Sequence, residues 1–306
     1  MQMLHYISTL AACILACSSN VLNAAPIDLN DGQHTIHLVG APKRVIVLEF
    51  SFLDSLAAID VMPIGIADDG AANRVLPSAY KAIGQWESVG LRSQPNIEKI
   101  ARLKPDLILA DLNRHQALYD HLSSIAPTLL LPSRSEDYQG SLKSAKLIGK
   151  ALGKSLQMDA RIAQNCEHLK AIAQQIPAGT SVLFGVARED SFSVHGQDSY
   201  AGSVLKTIGL KVSSVSAKAV PTEFISLEQL LALDPGWLLV SHYRRPSIID
   251  TWSKLPLWQV LSAVRNHQVA EVNGDNWARH RGVLASEQIA EDALVILKNG
   301  KAVLSY

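Results

Sequence analysis

The chain contains the same local pattern twice, and this duplication constrains its fold more than any other feature. Residues 97–110 and 227–240 align without gaps at an offset of 130 positions, and the match extends to Arg114 and Arg244. Each copy reads as a short helix, a break that contains Pro, and an apolar run typical of a buried parallel strand. Because Glu, Pro and Arg recur at one offset, the sequence predicts an α/β protein with two similar, Rossmann-like lobes.

Further patterns suggest where the two lobes begin and end. A strand at Arg44–Leu48 is predicted to open the first lobe, and a strand at Ser181–Val186 is predicted to open the second. Between them, apolar residues recur at helical spacing from Ser155 to Gln175, which predicts a connecting helix of roughly 30 Å. A helical connection predicts only a small opening between the lobes. The predicted division is a first lobe at 26–150, a connecting helix at 151–177 and a second lobe at 178–306.

The first 25 residues read as a segment that directs export. They contain no Asp, Glu, Lys or Arg, and an apolar stretch at Ile7–Cys17 is followed by Ala24, Ala25 and Pro26. This pattern predicts a secretory signal peptide at residues 1–25 with cleavage near Ala25. The alternative is a lipoprotein signal, because residues 14–17 resemble the box that precedes an acylated cysteine, here Cys17.

Composition and motifs exclude several classes of function. The 28 Lys and Arg residues balance the 28 Asp and Glu residues, and a dedicated nucleic-acid binder would carry a basic excess. Apolar residues make up 48% of the chain and charged residues 18%, which excludes a disordered chain. A Gly-x-Ser-x-Gly elbow, a phosphate loop, a His-Glu-x-x-His motif and the His/Cys clusters of zinc sites are all absent from the sequence. We therefore expect a protein that is not an enzyme and has no resident cofactor.

Arginine and aromatic residues follow the predicted strands at the points where these strands end. In open α/β sheets, ligands bind outside the carboxyl ends of the strands. Cations that face each other there suit a polyanionic ligand, and the planar fork of Arg grips carboxylates through two bonds. Ser51 lies in a predicted capping box, residues 51–54, that would aim free N–H groups of a helix at the same place, and Glu49 could fix an arginine there. The residues in question at the strand ends are Arg114, Arg188, Tyr243, Arg244, Trp277 and Arg279.

The duplicated helices each carry a glutamate near their start. Glu98 and Glu228 occupy equivalent positions in the two copies. A carboxylate is favoured there by the helix dipole alone, so the pair has an ordinary structural explanation. The duplication nevertheless predicts one exposed carboxylate on each lobe, an arrangement suited to a two-fold partner that offers basic pockets.

From about Pro42 onwards, the chain resembles periplasmic binding proteins of the iron-siderophore and cobalamin uptake class. Within that class it is most similar to the iron(III)-dicitrate-binding proteins. The resemblance implies a class III periplasmic binding protein, with two α/β lobes joined by one long helix and a ligand in the cleft between them. It also implies that Glu98 and Glu228 dock on arginines of a membrane permease dimer. The segments that carry the resemblance are 41–51, 63–69, 104–108, 237–240, 242–244 and 277–279.

Residues and resemblance together predict a periplasmic component of an ABC importer that captures ferric dicitrate. Citrate would hold the iron, so no protein ligand to the metal and no cofactor are expected, and the protein is expected to be a monomer. The alternatives are a hydroxamate siderophore, cobalamin or haem, the last with His115, His195 or Tyr243 as ligand, and an enzyme built on the same fold. The predicted contact residues are Ser51, Arg92, Arg114, Arg188, Tyr243, Arg244, Trp277 and Arg279.

Overall fold

The structure is a computed structural model that describes residues 26–214 and 220–299. The predicted signal peptide at residues 1–25, with Cys17, lies outside the described residues. Within the two described ranges, every helix is too short or too polar to cross a membrane.

The first half of the described chain forms a two-stranded hairpin and a parallel sheet. The hairpin consists of β1 (Ile27–Asn30) and β2 (Thr35–Leu38). The strands of the sheet are β3 (Val45–Val47), β4 (Gly65–Ile66), β5 (Glu87–Ser88), β6 (Leu107–Asp111) and β7 (Thr128–Leu131). Their order across the sheet is β5-β4-β3-β6-β7, and every pair is parallel.

Helices connect the strands of this first sheet, as parallel pairing requires. Short 3-10 turns at Ala72–Arg74 and Gln116–Leu118 add to these connections. A 19-residue helix, α7 (Ser155–Ala173), then leads to the second half. It lies where the sequence predicted the connecting helix. The preceding helices are α1 (Phe50–Ala57), α2 (Pro77–Ile83), α3 (Ile97–Arg102), α4 (Leu112–His115), α5 (Tyr119–Ile125) and α6 (Tyr138–Ala151).

The second half forms a mixed sheet. Its strands are β8 (Ser181–Ala187), β9 (Phe192–His195), β10 (Lys211–Val212), β11 (Thr222–Ile225), β12 (Trp237–His242) and β13 (Val269–Glu271). The order is β11-β9-β8-β12-β13, with β10 beside β8; β9 and β11 form antiparallel pairs and the other pairs are parallel. The helices are α8 (Tyr200–Thr207), α9 (Leu227–Leu233), α10 (Ile248–Trp252), α11 (Pro256–Gln259), α12 (Ser262–Arg265) and α13 (Val283–Asn299), with a π-helical turn at Asp275–Arg279.

The duplicated pattern folds in the same way in both halves, as predicted. Helix α3 precedes β6, which pairs in parallel with β3, the strand that opens the first sheet. Helix α9 precedes β12, which pairs in parallel with β8, the strand that opens the second. Both strands are buried along almost their entire length because they lie inside their sheets, which explains why both read as apolar runs. The chain therefore has the predicted class III architecture of two α/β lobes.

One hydrophobic core extends through both lobes. It contains Val47 and Leu109 of the first sheet, Phe184 and Leu239 of the second, and Ile289 of α13, all buried. Polar contacts reinforce this region: Arg161 of α7 donates two hydrogen bonds, of 2.8 and 2.6 Å, to the carboxylate of Glu287 on α13. The two lobes thus share apolar packing and are not two separate bodies joined by a linker.

The predicted capping box at Ser51 is wrong. The cap of helix α1 is Glu49, two residues before Ser51, and the Glu49 carboxylate accepts a hydrogen bond from the N–H of Phe50. Asp54, the expected partner of Ser51, instead accepts the N–H groups of Leu284 and Ala285 at the start of α13. The sequence pattern for a capping box is local, whereas Asp54 is used by a helix far away in the chain.

Candidate functional site

A cavity of about 740 Å³ lies where strands of both sheets end. Residues that follow β3, β6 and β7 form one wall, and residues that follow β8, β12 and β13 form the other. We call this space the arginine cavity, because eight arginines and three carboxylates line it. The arginines are Arg74, Arg92, Arg114, Arg134, Arg188, Arg244, Arg279 and Arg281, and the carboxylates are Glu49, Glu271 and Asp275.

Glu49 organises the wall that belongs to the first sheet. Its side chain is only 1% exposed, and its Oε1 accepts a hydrogen bond of 2.6 Å from Nη1 of Arg92. Its Oε2 lies 3.1 Å from Nε of Arg114, so one carboxylate forms ion pairs with two arginines. The prediction that Glu49 fixes an arginine of the cleft is confirmed.

Arg92 is the most firmly held of the arginines. Besides Glu49, it donates two hydrogen bonds, of 3.0 and 2.7 Å, to Oδ2 of Asp69, and its guanidinium lies 4.1 Å from the ring centre of Phe50. Burial disfavours its charge, but the two carboxylates more than offset this and raise the pKa of Arg92. Most of its hydrogen-bond donors are therefore occupied within the protein, so Arg92 contributes charge to the cavity more than free donors.

Arg114 is more available than Arg92. It lies in α4, directly after β6, and its backbone N–H donates a hydrogen bond of 2.8 Å to the carboxylate of Asp111. Partial burial lowers the pKa of Arg114, the charge of Glu49 opposes this, and the nearby Arg134 adds to the lowering. Mutually repelling guanidinium groups at one wall form a region of positive potential, which an anion would relieve.

An aromatic ring holds the arginines of the opposite wall. Tyr243, 46% exposed, follows β12, and the guanidinium groups of Arg188 and Arg279 lie 4.6 and 5.6 Å from its ring centre. Arg279 also pairs with Asp275. Among the described residues, no carboxylate lies within 4 Å of Arg188, whereas Arg244 is 3.8 Å from Glu189 in an exposed pair. Arg188 is therefore the least committed cation of this wall.

Two of the predicted contact residues do not line the arginine cavity. Trp277 is 1% exposed, and its indole N–H donates a hydrogen bond of 2.8 Å to Asp292. The π-helical turn directs Trp277 into the core and Arg279 into the cavity. The hydroxyl of Ser51 forms a hydrogen bond of 2.7 Å with that of Ser133, beside a small separate cavity. The structure brings the other six, Arg92, Arg114, Arg188, Tyr243, Arg244 and Arg279, together around one space.

Three arginines of the cavity were missed by sequence reasoning. Arg134 comes shortly after β7, so the rule that identified Arg114 and Arg188 could have found it. Arg74 ends a 3-10 turn and lies eight residues beyond the end of β4, too far for that rule to find it. Arg281 lies two residues after Arg279 in the same segment, so the argument that identified Arg279 could also have found it.

Arg281 differs from the others in its partners. Its guanidinium donates hydrogen bonds of 3.4 Å to the carbonyl oxygens of Arg279 and Ala278, and no carboxylate pairs with it among the described residues. Burial lowers the pKa of Arg281, while the charge of Glu49 acts in the opposite direction. Arg281 also borders the small cavity near Ser51, so it lies between the two spaces.

Glu98 and Glu228 lie where the duplication predicted. Both are exposed and occupy the first turn of α3 and α9, respectively. Hydrogen bonding to Ser226 lowers the pKa of Glu228. The structure therefore shows one exposed carboxylate at the equivalent position of each lobe.

The chemistry of the arginine cavity fits anion binding. Guanidinium groups from both walls converge on one space, and several of them retain free donors. In the described part of the chain, no group of three or more His, Cys, Asp or Glu residues is arranged to hold a metal ion. The guanidinium groups that converge from both walls make this cavity suited to negative charge.

Comparisons with known proteins agree with this geometry. The family model described as periplasmic binding protein matches residues 45–275. The Fe(3+) dicitrate-binding periplasmic protein FecB of Escherichia coli K12 is 48% identical over 295 residues, which cover 96% of this chain and 97% of that protein. The Fe(3+)-citrate-binding protein YfmC of Bacillus subtilis 168 is 38% identical over 268 residues, 87% and 84% of the two chains. Among solved structures, SirA of Staphylococcus aureus complexed with staphyloferrin B has a TM-score of 0.77 at 23% identity, covering 89% and 98%.

Proposed function

The chain belongs to the periplasmic binding protein family, and on this premise we propose that it captures an anionic iron(III)–citrate chelate in the arginine cavity and delivers it to an ABC importer. The observation that carries this proposal is the excess of guanidinium groups over carboxylates around one space of about 740 Å³. Citrate presents carboxylates that arginines can grip bidentately. The two relatives at 48% and 38% identity are named for binding iron(III) citrate, which points to the same ligand.

In this proposal, the protein holds the chelate and citrate holds the iron. Iron(III) bound by citrate leaves outward-facing carboxylate oxygens, which Arg188 and Arg279 from one wall and Arg114 from the other would contact. Tyr243 would support the two arginines of its wall and could donate its hydroxyl. The protein would then need no ligand of its own to the metal, no cofactor and no bond-forming chemistry.

Delivery requires a second surface, and Glu98 and Glu228 supply the natural candidates. Both carboxylates are exposed, one on each lobe, away from the residues that line the cavity. A permease dimer with basic pockets would engage them as a pair, while the protein itself acts as a monomer in the periplasm. Residues 1–25 would direct the export, either as a cleaved signal peptide or with acylation of Cys17.

Two details of the structure weigh against haem ligation by His115 and against a nucleophile at Ser247. Both ring nitrogens of His115 are engaged, Nδ1 by the N–H of Asp111 at 2.9 Å and Nε2 with the carbonyl of Arg92 at 2.7 Å. His242 lines the cavity and contacts the hydroxyl of Ser247 at 2.8 Å, but Ser247 is 1% exposed and caps α10. His115 therefore has no free ring nitrogen for haem iron, and Ser247 is not accessible as a nucleophile.

Titration of the purified protein with ferric dicitrate tests the proposal. We expect saturable binding by calorimetry at stoichiometric ratio, and no binding of haem, followed by its Soret band, or of cobalamin. Iron(III) kept in solution by a weak chelator is the control for the metal. A neutral ferric hydroxamate is the control for a chelate without carboxylates. Tight binding of the hydroxamate together with no response to ferric dicitrate would overturn the proposal.

A further inference from the structure

We propose that Glu49 is a specificity-determining residue whose fixed negative charge sets how many negative charges an anion must bring to the arginine cavity. The inference rests on the proposed function only in assuming that the cavity receives an anion. It concerns a residue that repels the ligand, whereas the arginines attract it. The negative charge of Glu49 thus compensates part of the positive charge of the arginines before any ligand binds.

Glu49 lies where its charge can act on an anion in the cavity. Its carboxylate is 1% exposed, lines the cavity, and is held on one side by Arg92 at 2.6 Å and on the other by Arg114 at 3.1 Å. The N–H of Phe50, at the start of α1, donates to Oε1 at 3.1 Å. The N–H of Phe50 and the guanidinium of Arg92 both donate to Oε1, and Oε2 lies close to Arg114, so the buried carboxylate is held in place when an anion enters.

The field of Glu49 reaches residues that it does not touch. Burial lowers the pKa of Arg281 on the opposite segment, and that of the buried His280, and in both cases Glu49 is among the charges that oppose the lowering. Arg92 and Arg114 respond to the same charge. One carboxylate therefore influences guanidinium groups from both walls, which is what a selectivity element at the centre of a site requires.

Coulomb repulsion gives the direction of the effect. An anion in the cavity is attracted by the arginines and repelled by Glu49, and each term scales with the charge that the anion carries. Removal of the carboxylate charge would leave one more uncompensated arginine, so anions would bind more tightly and highly charged anions would gain most. A change of roughly tenfold in affinity for a trivalent anion corresponds to the interaction of partly screened charges a few ångströms apart.

The test compares thermal unfolding of the unmodified protein and three variants in increasing concentrations of free citrate, with sodium chloride at equal ionic strength as a control for screening. Glu49→Gln removes the charge and keeps the shape, whereas Glu49→Asp keeps the charge and shortens the side chain. Glu287→Gln removes an equally engaged carboxylate that does not line the cavity. We expect Glu49→Gln to respond to roughly tenfold lower citrate concentrations than the unmodified protein, and Glu49→Asp to show no such gain because it keeps the charge. Glu287→Gln should respond like the unmodified protein.

The outcomes separate the proposal from its rivals. An equal or weaker citrate response of Glu49→Gln, or an increased response of Glu49→Asp, would overturn it, since the first denies the charge effect and the second assigns it to lost contacts. If Glu49→Gln does not fold even with citrate, the double variant Glu49→Gln/Arg92→Gln removes both members of the 2.6 Å ion pair, keeps the charge balance and leaves Arg114 in place, and it must recover the unmodified response. Failure of the unmodified protein to bind ferric dicitrate would reject the proposed ligand and leave these citrate comparisons intact.

Discussion

Asp54 accepts the backbone N–H of Ala285 at 2.8 Å, although 231 residues separate the two in the chain. The same carboxylate accepts the N–H of Leu284 at 3.1 Å, so a residue of α1 in the first lobe caps α13 in the second. The segment just before α13 carries Arg279 and Arg281 into the arginine cavity. Asp54 therefore connects the first lobe to the backbone from which these two arginines project.

Replacement of Asp54 by Asn should remove a pH dependence of stability. Burial raises the pKa of Asp54 to about 7 from 3.8, Glu287 adds to the rise, and the N–H groups of α13 oppose it. The folded state thus holds this proton more tightly than the unfolded chain. The resulting stabilisation is complete below about pH 4 and is lost as the pH rises towards about 7.

Urea unfolding across this pH range measures the effect. The free energy of unfolding of the unmodified protein, minus that of Asp54→Asn, should fall by up to about 1.4 kcal/mol per pH unit between about pH 4 and about pH 7. Asp250→Asn is a matched control, because a backbone hydrogen bond at Ser247 lowers the pKa of this exposed cap. A difference that stays constant for Asp54→Asn would show that its carboxyl is not protonated in the folded state at these pH values.

Gly282→Ala should destabilise the protein more than an ordinary glycine substitution. Gly282 has a φ of +138°, and an added Cβ would clash with Oδ1 of Asp54. The hydroxyl of Tyr200 accepts its N–H at 2.9 Å and donates to its carbonyl at 2.5 Å, which prevents the backbone from shifting. We expect a loss of about 2–4 kcal/mol in the free energy of unfolding.

Gly209→Ala is the control for Gly282→Ala. Gly209 also has a positive φ, of +90°, but nothing lies within 4 Å of its added Cβ, so backbone strain alone should cost about 1 kcal/mol. Equal losses in the two variants would mean that the contact with Asp54 adds nothing to the backbone strain.

Arg188→Gln should weaken binding of ferric dicitrate without destabilising the fold. Arg188 contacts the ring of Tyr243 and has no carboxylate partner within the described ranges, so its donors are free for a ligand. Loss of a charge-assisted hydrogen bond costs about 1.5–3 kcal/mol, or roughly 10- to 150-fold in Kd by calorimetry. Arg265→Gln removes an exposed charge on α12, outside the cavity, and should leave Kd unchanged; a parallel loss there would indicate a general charge effect.

Glu98→Ala combined with Glu228→Ala should separate delivery from capture. Neither residue lines the arginine cavity, so calorimetry should give an unchanged Kd for ferric dicitrate. Uptake of radioactive iron citrate by cells that depend on this protein should fall at least roughly tenfold, because two docking charges are lost. Glu167→Ala, at an exposed site of α7, provides a surface control, and normal uptake by the double variant would reject the docking role.

The sequence was sufficient where a pattern is local. The duplicated helix and strand were identified because β6 and β12 both lie inside a sheet, and burial on both faces leaves a continuous apolar run. Arg114, Arg188 and Arg244 were identified because the carboxyl ends of strands meet at one edge. These inferences need only the chain itself and the topology that parallel strands impose.

The sequence could not predict features that depend on the orientation of a side chain or on a contact with a residue far away in the chain. Trp277 and Arg279 are two residues apart, and only the π-helical turn determines that one is buried and the other faces the cavity. Asp54 has the spacing of a capping box with Ser51 but is occupied by α13, a contact that no local pattern contains. Arg74 reaches the cavity from a 3-10 turn well beyond the end of β4, so the rule for strand ends could not find it.

The core shared by the two lobes has a consequence for how a loaded molecule would be told from an empty one. The buried side chains of this core belong to both sheets and to α13, so apolar packing opposes a wide separation of the lobes. We therefore expect the distance between α3 and α9 to change little when the cavity fills. A membrane protein that distinguishes the two forms would then have to sense changes at the rim of the cavity, because the spacing of Glu98 and Glu228 would be almost the same in both.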